Sequence, residues 1–467
     1  MTECTQSNFE FHALYRREVV AQFDGGDMTT DAGGLLVREV DSRLHLTNRL
    51  AACFRDHRRR DKIEHTVREL AAQRVYGLVL GYEDLNDHDQ LRADPLMAVL
   101  VGKAEPKGTD RRRAQDQGKA GAGKSTLNRL ELTPADADAK ARYKKIVYDS
   151  QAMDRLLVEL FLEAQEQPPE RIVLDLDATD DPVHGNQEGR FFHGYYGNYC
   201  YLPLYILCGE FVLCARLRSS NIDASAGARE EVQRIVAQIR AKWPAVEIVL
   251  RGDGGFCRDA IMSWCEDHGV GFVFGLAKNK RLGKIIGPQL QQAKAQFEEP
   301  HQAARVFTEF SYQTRKSWKR ERRVVAKAEH LDKGANPRFV VTSFRAEQIQ
   351  ARSLYEELYC ARGEMENRIK EQQLALFADR TSTTLMRSNQ LRLYFSTFAY
   401  QLLQGLRRLG LKGTEMAQAQ CQTIRLKLLK IGAQIRVTVR RVYLSLATGY
   451  PFRAFFARVY ANLMSTA

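Results

Sequence analysis

The stretch Arg171-Ile172-Val173-Leu174-Asp175-Leu176-Asp177-Ala178-Thr179-Asp180 constrains this chain more than any other. It alternates as a strand does, so Ile172, Leu174, Leu176 and Ala178 share one face while Val173, Asp175, Asp177 and Thr179 share the other. Two carboxylates therefore stand on one side of a strand whose other side is wholly apolar. Unit charges about 4 Å apart repel by roughly 4 kcal/mol at an effective dielectric near 20. Such a pair needs a proton, a basic partner or a cation, and a divalent metal is the functional possibility. The alternative is a strand end whose acids point into water.

Beyond this stretch the chain is patterned as strands at 195–207 and 211–217, a helix at about 226–242, and a strand at 246–251 ending in Gly252-Asp253-Gly254-Gly255. A helix at 258–268 and a strand at 271–276 come next. Three strands, helix, strand, helix, strand is the order of an RNase H-like domain, in which the first and fourth strands are neighbours. By that analogy Asp177 is expected beside Asp253. Residues 281–348 turn mainly β, and a helix over 350–377 then puts Tyr359, Arg362 and Glu366 at i, i+3 and i+7 on one face. Glu366 supplies a third carboxylate; an exposed Arg/Glu pair is the other possibility.

The expected class is α/β: an RNase H-like catalytic core with a mainly β insertion between the second and third acids, a helical N-terminal domain and a basic C-terminal region. The boundaries are 1–165 for the N-terminal domain, expected to bind DNA, 166–280 for the first part of the core, 281–348 for the insertion, 349–400 for the third-acid helix, and 401–467 for the basic region. Within that last region, residues 431–444 fit a strand pair or a helix equally well.

Charge is informative once located. Fourteen of the 70 Lys and Arg, but only one of the 57 acids, lie from Arg380 onward, so the tail carries the whole excess of +13. A concentrated basic region is the footprint of a polyanion, and nucleic acid is the expected partner. Arg315-Lys316-Ser317-Trp318-Lys319-Arg320 adds basic side chains around an aromatic ring, a pattern suited to phosphates and a stacked base, although Trp318 could equally cover a hairpin. The nine cysteines have no paired spacing, which argues against structural zinc and a disulfide framework. No run of eighteen apolar residues occurs and the first residues are polar, so a cytoplasmic protein without a membrane partner is expected.

One motif misleads. Gly118-Lys119-Ala120-Gly121-Ala122-Gly123-Lys124-Ser125 fits the phosphate-cradling G-x-x-x-x-G-K-[ST]. A working loop of that kind joins a buried strand to a helix, and no strand can be written through residues 109–117. A flexible basic loop is expected instead, with ATP binding the lesser alternative.

With Leu174-Asp175-Leu176-Asp177-Ala178-Thr179, Arg251-Gly252-Asp253-Gly254-Gly255-Phe256 and Tyr359-x-x-Arg362-x-x-x-Glu366 in order, the chain resembles insertion-sequence transposases of the DDE superfamily, and among them the IS-thirteen-eighty group. The resemblance runs from Phe23-Asp24 to Tyr450-Pro451. It implies that Asp177, Asp253 and Glu366 hold two Mg²⁺ (or Mn²⁺) ions for phosphodiester cleavage and strand transfer, with Asp175 a rival first ligand. Tyr359 and Arg362 would position phosphate. The lysine seven residues after the glutamate in related chains is Gln373 here, and Lys370 is the nearest substitute. Trp318, Lys319, Arg320, Arg440 and Arg441 are further expected DNA contacts. The implied partner is double-stranded DNA, both transposon ends and target, bound by a homodimer in a bacterial, nucleoid-associated setting. A catalytically inactive DNA-binding protein is the alternative.

Overall fold

Arg171–Ala178, here β1, is a strand, and both of its faces are covered. The computed structural model of the chain describes residues 8–298 and 302–465. It divides into one unit of Met1–Tyr148 with Phe398–Ala467 and a second of Asp149–Thr397.

In the second unit the strands after β1 are β2 (Phe191–His193), β3 (Asn198–Tyr201), β4 (Leu204–Cys208), β5 (Phe211–Arg216), β6 (Glu247–Gly252), β7 (Gly271–Leu276), β8 (Ala304–Tyr312), β9 (Arg322–Leu331) and β10 (Arg338–Thr342). Eight of them make one path, β5-β4-β1-β6-β7-β10-β9-β8, in a nine-stranded sheet completed by Gly334–Ala335 against β9. The sheet is mixed: β6 runs parallel to both β1 and β7, and the other pairs on the path are antiparallel. The apolar face of β1 lies in the main core, where Leu174 and Leu176 are fully buried with Val232, Ile235 and Met262 from α1 (Ala228–Lys242) and α2 (Asp259–Asp267). Each such leucine contributes about 1.5–3 kcal/mol relative to exposure. On the opposite face a smaller cluster forms from Val249, Val273, Val325 and Val340 under Leu354 and Tyr355, and Val173 packs against it.

The three late strands are not a separate sheet. β10 pairs with β7, so β8, β9 and β10 extend the sheet that carries the acids. Residues 281–298 are also less β than expected, because they carry helices Lys280–Ile285 and Gly287–Glu298. The segment read as one strand over 195–207 is broken at Leu202-Pro203, since proline lacks the N–H that a ladder needs. Its first half, β3, joins a small sheet with β2 and Asp181–Pro182. The helix expected over 350–377 is helical but irregular: a π-helical turn at Leu354–Tyr359 and a 3-10 turn at Cys360–Arg362 precede α3 (Gly363–Leu376). Such mid-helix turns change the angular spacing of side chains, so the i, i+3, i+7 argument holds only approximately.

The first unit is largely helical, with Gly34–Leu44, Leu46–Ala52, Val67–Leu80 and Pro95–Leu100 as its main early helices. Its late segment supplies a hairpin, Ala433–Val437 with Val442–Leu446, so the strand pair is what residues 431–444 adopt. The first of those strands also pairs with Met28–Thr29. Arg425, one of the tail's cations, is 5 % exposed and donates to Val79 O at 2.8 Å and Leu78 O at 3.0 Å, completing the C-terminal end of helix Val67–Leu80. Gly33 fits only as glycine, because a Cβ there would stand 2.0 Å from Leu428 O.

Candidate functional site

The register of β6 on β1 sets Arg251 opposite Asp175 and Gly252 opposite Leu176, so Asp253, the next residue, comes level with Asp177. Asp253 is partly buried, and its Oδ1 accepts the Gly255 amide at 2.8 Å within the glycine turn. From the other side α3 brings Glu366. Asp177, Asp253, Glu366, Arg362 and Lys370 all line one cleft of about 550 Å³.

Arg362 stands among the acids. One terminal nitrogen of its guanidinium donates to Asp177 Oδ1 and the other to Glu366 Oε1, the latter at 2.7 Å. Its Nε is buried without a hydrogen-bond partner. Burial pushes the Asp177 carboxyl up to about 6, against the pull of Arg362, and Asp253 and Glu366 push it in the same direction as burial. Tyr359, its hydroxyl raised by burial, lies within electrostatic reach of Arg362 and Asp253. A Cβ on Gly275 would stand 2.6 Å from the Tyr359 hydroxyl, so glycine at the end of β7 is what lets this ring in.

Asp175 has a different occupation. Arg251 grips it with two nitrogens, at 2.5 and 2.7 Å, and passes its third to Leu358 O at 2.6 Å. Asp175 is not among the residues that line the cleft of Asp177. Its charge is matched within the fold. The alternation therefore read the shared face correctly but could not show that a partner 76 residues away claims one acid and leaves the other.

Among the described residues, no three His, Cys, Asp or Glu side chains stand close enough together to hold one metal ion. The donor chemistry around the cleft suits a hard divalent cation: four carboxylates, Asp177, Asp180, Asp253 and Glu366, with no sulfur among the lining side chains. The positive charge that balances Asp177 and Glu366 is the guanidinium of Arg362.

The remaining sequence candidates lie elsewhere. Trp318 is 6 % exposed and sits in the main core, edge-on to Tyr312 at 5.8 Å with Arg322 over its ring at 5.6 Å. It has no face free for a base; Lys319 and Arg320 of the same loop are exposed, Arg320 beside Glu266 and Asp267. Arg440 and Arg441 are exposed in the turn of the hairpin in the first unit. Sequence reasoning missed His193, Tyr195 and Tyr196, which line the acidic cleft. Burial foremost, and then Asp180, Asp177 and Asp253, raise the Tyr196 hydroxyl to about 12, so it keeps its proton. Two tyrosines in a glycine-flanked turn were the available signal.

A second, larger cavity of about 740 Å³ belongs to the first unit, with Arg58, Arg92, Arg111, Arg112, Arg113 and Arg129 in its walls. Burial, helped by Lys103, Arg111 and Arg58, holds His65 there down to about 2. The P-loop-like segment ends at this cavity, but it is a packed loop and not the flexible one expected. Ala120 and Ala122 are buried, and a Cβ on Gly121 would lie 2.9 Å from Arg92 Cα. No strand precedes it, and the helix after it, Lys124–Glu131, is short. The Lys124 amide donates to Asp89 Oδ1 at 3.0 Å and its ammonium pairs with Asp89 at 3.4 Å, so a carboxylate holds the groups that would face a phosphate. ATP with Mg²⁺ is therefore expected to leave the melting temperature of both the parent and Lys124→Ala unchanged within about a degree. A nucleotide-dependent rise lost in the variant would reverse that conclusion.

Among the described residues no helix is long and apolar enough to cross a membrane. The sequence matches the family model described as transposase DDE domain group 1 over residues 11–467. A search of the curated proteins gives no match.

Proposed function

The chain belongs to the transposase DDE domain family, and we propose that it cuts and joins DNA at the terminal inverted repeats of an insertion sequence of the IS-thirteen-eighty kind. The observation that carries this is the convergence of Asp177, Asp253 and Glu366, far apart in sequence, on one cleft. The strand order β5-β4-β1-β6-β7, with β6 parallel to its two neighbours, supports an RNase H-like core.

Asp177, Asp253 and Glu366 are the residues that would hold the divalent ions, two Mg²⁺ or Mn²⁺. When bound, these would activate water or a 3′-hydroxyl and stabilise the leaving oxygen of the phosphodiester. The chain's own residues do the rest. Arg362 balances Asp177 and Glu366 in the absence of other cations, and a phosphate entering the cleft offers its guanidinium a second anion with matching geometry. Tyr359, seated against Gly275, keeps its ring within electrostatic reach of that guanidinium. Lys370, exposed one helical turn beyond Glu366, adds positive charge at the rim.

Duplex DNA, as transposon end and as target, is the proposed partner, held by a homodimer. The basic cavity of the first unit and the hairpin of Arg436, Arg440 and Arg441 are its proposed backbone contacts. Not every tail cation qualifies: Arg425 is spent on backbone carbonyls, and Lys430 pairs with Asp31 at 2.6 Å. Changing Arg436, Arg440 and Arg441 together to Gln should lower the slope of log affinity against log salt by about 2–3 units, at roughly 0.9 per phosphate. The loss should be similar on repeat and random duplexes, because phosphate contacts carry no base information. An unchanged slope would remove the hairpin from the DNA surface.

The direct test incubates the full chain with a duplex bearing the inverted repeats that flank its coding region, in Mg²⁺. Nicks at the repeat ends followed by joining to a second duplex are expected. Repeat-specific binding without any nick would favour an inactive DNA-binding protein.

A further inference from the structure

Between Arg190 and Cys200 the chain reads Phe191-Phe192-His193-Gly194-Tyr195-Tyr196-Gly197-Asn198-Tyr199, five aromatic rings and a histidine in nine residues. They form the hairpin of β2 and β3, in which His193 pairs with Asn198 across a four-residue turn. Gly197, at φ +71°, supplies the left-handed position of that turn, and its amide donates to His193 O at 2.8 Å. Aromatic side chains in a strand pair ordinarily cover a core. Here they do not: Tyr195 is 87 % exposed, Phe192 57 %, Tyr199 49 % and Phe191 43 %.

The exposed rings are arranged and anchored. Phe192 and Tyr199 face each other across the strands edge-to-face at 5.6 Å, and Arg190 lies over the Tyr199 ring at 4.6 Å. Tyr195 and Tyr196 meet edge-to-face at 5.0 Å. The Tyr196 hydroxyl donates to Ala178 O at 3.2 Å, one residue beyond Asp177, and Asn198 Nδ2 donates to Asp180 Oδ2 at 3.2 Å. The hairpin is thus tied to the end of the acidic strand, and His193, Tyr195 and Tyr196 share the cleft of Asp177, Asp253 and Glu366.

We propose that this hairpin is a stacking platform for unpaired bases of the DNA strand that enters the acidic cleft, with Tyr195 and Phe192 as the principal ring contacts. The inference rests on the proposed DNA-cutting function and adds the form in which the strand is held. Three features select the occupant. The platform continues directly into a cleft whose chemistry calls for a phosphodiester. Arg190 beside Tyr199, and Lys370 across the cleft, offer positive charge to the backbone between bases. Ring faces open to solvent can stack only on bases whose own faces are open, as they are in single strands and frayed ends and are not within a duplex. Strand separation next to the cut would expose such bases, and the platform would hold them apart while the phosphate sits among the acids.

The test uses the full chain in EDTA, so that no strand is cut, with a fluorescent twelve-nucleotide oligo(dT) and a twelve-base-pair duplex as probes in anisotropy titrations. Tyr195→Ala with Phe192→Ala should weaken oligo(dT) binding about tenfold or more and duplex binding less than about threefold. Tyr195→Phe, which keeps the ring, should stay within about twofold of the parent on both probes. An unchanged melting temperature shows that these exposed rings were not holding the fold. Equal losses on both probes, or no loss on oligo(dT), would overturn the proposal. So would a fall from dimer to monomer in light scattering with DNA binding intact, since the rings would then cover a second copy of the chain. Because neither probe is cut, a failure of end cleavage in the parent would count against the proposed function and leave this result to stand by itself.

Discussion

Asp253→Ala is expected to slow nicking at the repeat end by at least about a thousandfold, equivalent to roughly 4 kcal/mol of lost transition-state stabilisation, with repeat binding within a few-fold of the parent. Asp253 is the cleanest of the three acids to change. It follows a strand in a partly open glycine turn, and its carboxylate accepts from a neighbouring amide, so removing it disturbs little else. Asp177 calls for Asn in place of Ala, because its neighbour Arg362 would otherwise be left with a buried charge facing a cavity. Glu366→Gln keeps the length that Arg362 reaches for. The same loss in all three, each still folded and still bound to DNA, is the expected pattern. Nicking near the parent rate in any one of them would take that residue out of the site. A loss of binding and nicking together would mean that the acids organise the fold and not the chemistry.

Arg251→Met should cost the second unit about 3–5 kcal/mol of stability, since it strands Asp175 without a partner in a buried position. Burial already pushes the Asp175 carboxyl up, and Arg251 is what opposes it. The double variant Asp175→Leu, Arg251→Met replaces the pair with apolar groups of similar bulk and should recover most of that loss, leaving chiefly the unpaired Leu358 carbonyl. All three tryptophans, Trp243, Trp264 and Trp318, belong to the second unit, so intrinsic fluorescence during denaturation of the full chain follows this unit. A double variant as unstable as Arg251→Met would show that the pair does more than cancel its own charge. A stable double variant that no longer nicks DNA would return Asp175 to the list of metal ligands.

The sequence exposed what is local and hid what is paired at a distance. Alternation identified β1 and its acidic face, and β-rich patterning marked 281–348 as mainly β, the segment that holds the strands at 304–312, 322–331 and 338–342. It could not show that β10 would choose β7, because nothing within either strand records its neighbour. Asp175 and Asp177 look equivalent in sequence. Only an arginine 76 residues away from one and another 185 residues away from the other distinguish them. Trp318 amid basic residues had the composition of a nucleic-acid contact, yet its ring is core and its neighbours alone reach the surface. The aromatic hairpin was missed because Tyr195 onward patterns as one strand over 195–207; proline breaks that strand, and Phe191, Phe192, Tyr195 and Tyr199 are exposed.

The division of the chain also dictates an order of assembly. The second unit is one continuous segment, Asp149–Thr397, and can fold as it leaves the ribosome. The first unit is split, and its early half waits for residues that follow the whole of the second unit. Met28–Thr29 pair with Ala433–Val437, and helix Val67–Leu80 receives Arg425, more than 340 residues later. Until those residues emerge, the carbonyls of Leu78 and Val79 lack their Arg425 donors and the edge of Met28–Thr29 lacks its strand partner. A chain released early would therefore carry a folded acidic cleft and an unfinished basic unit.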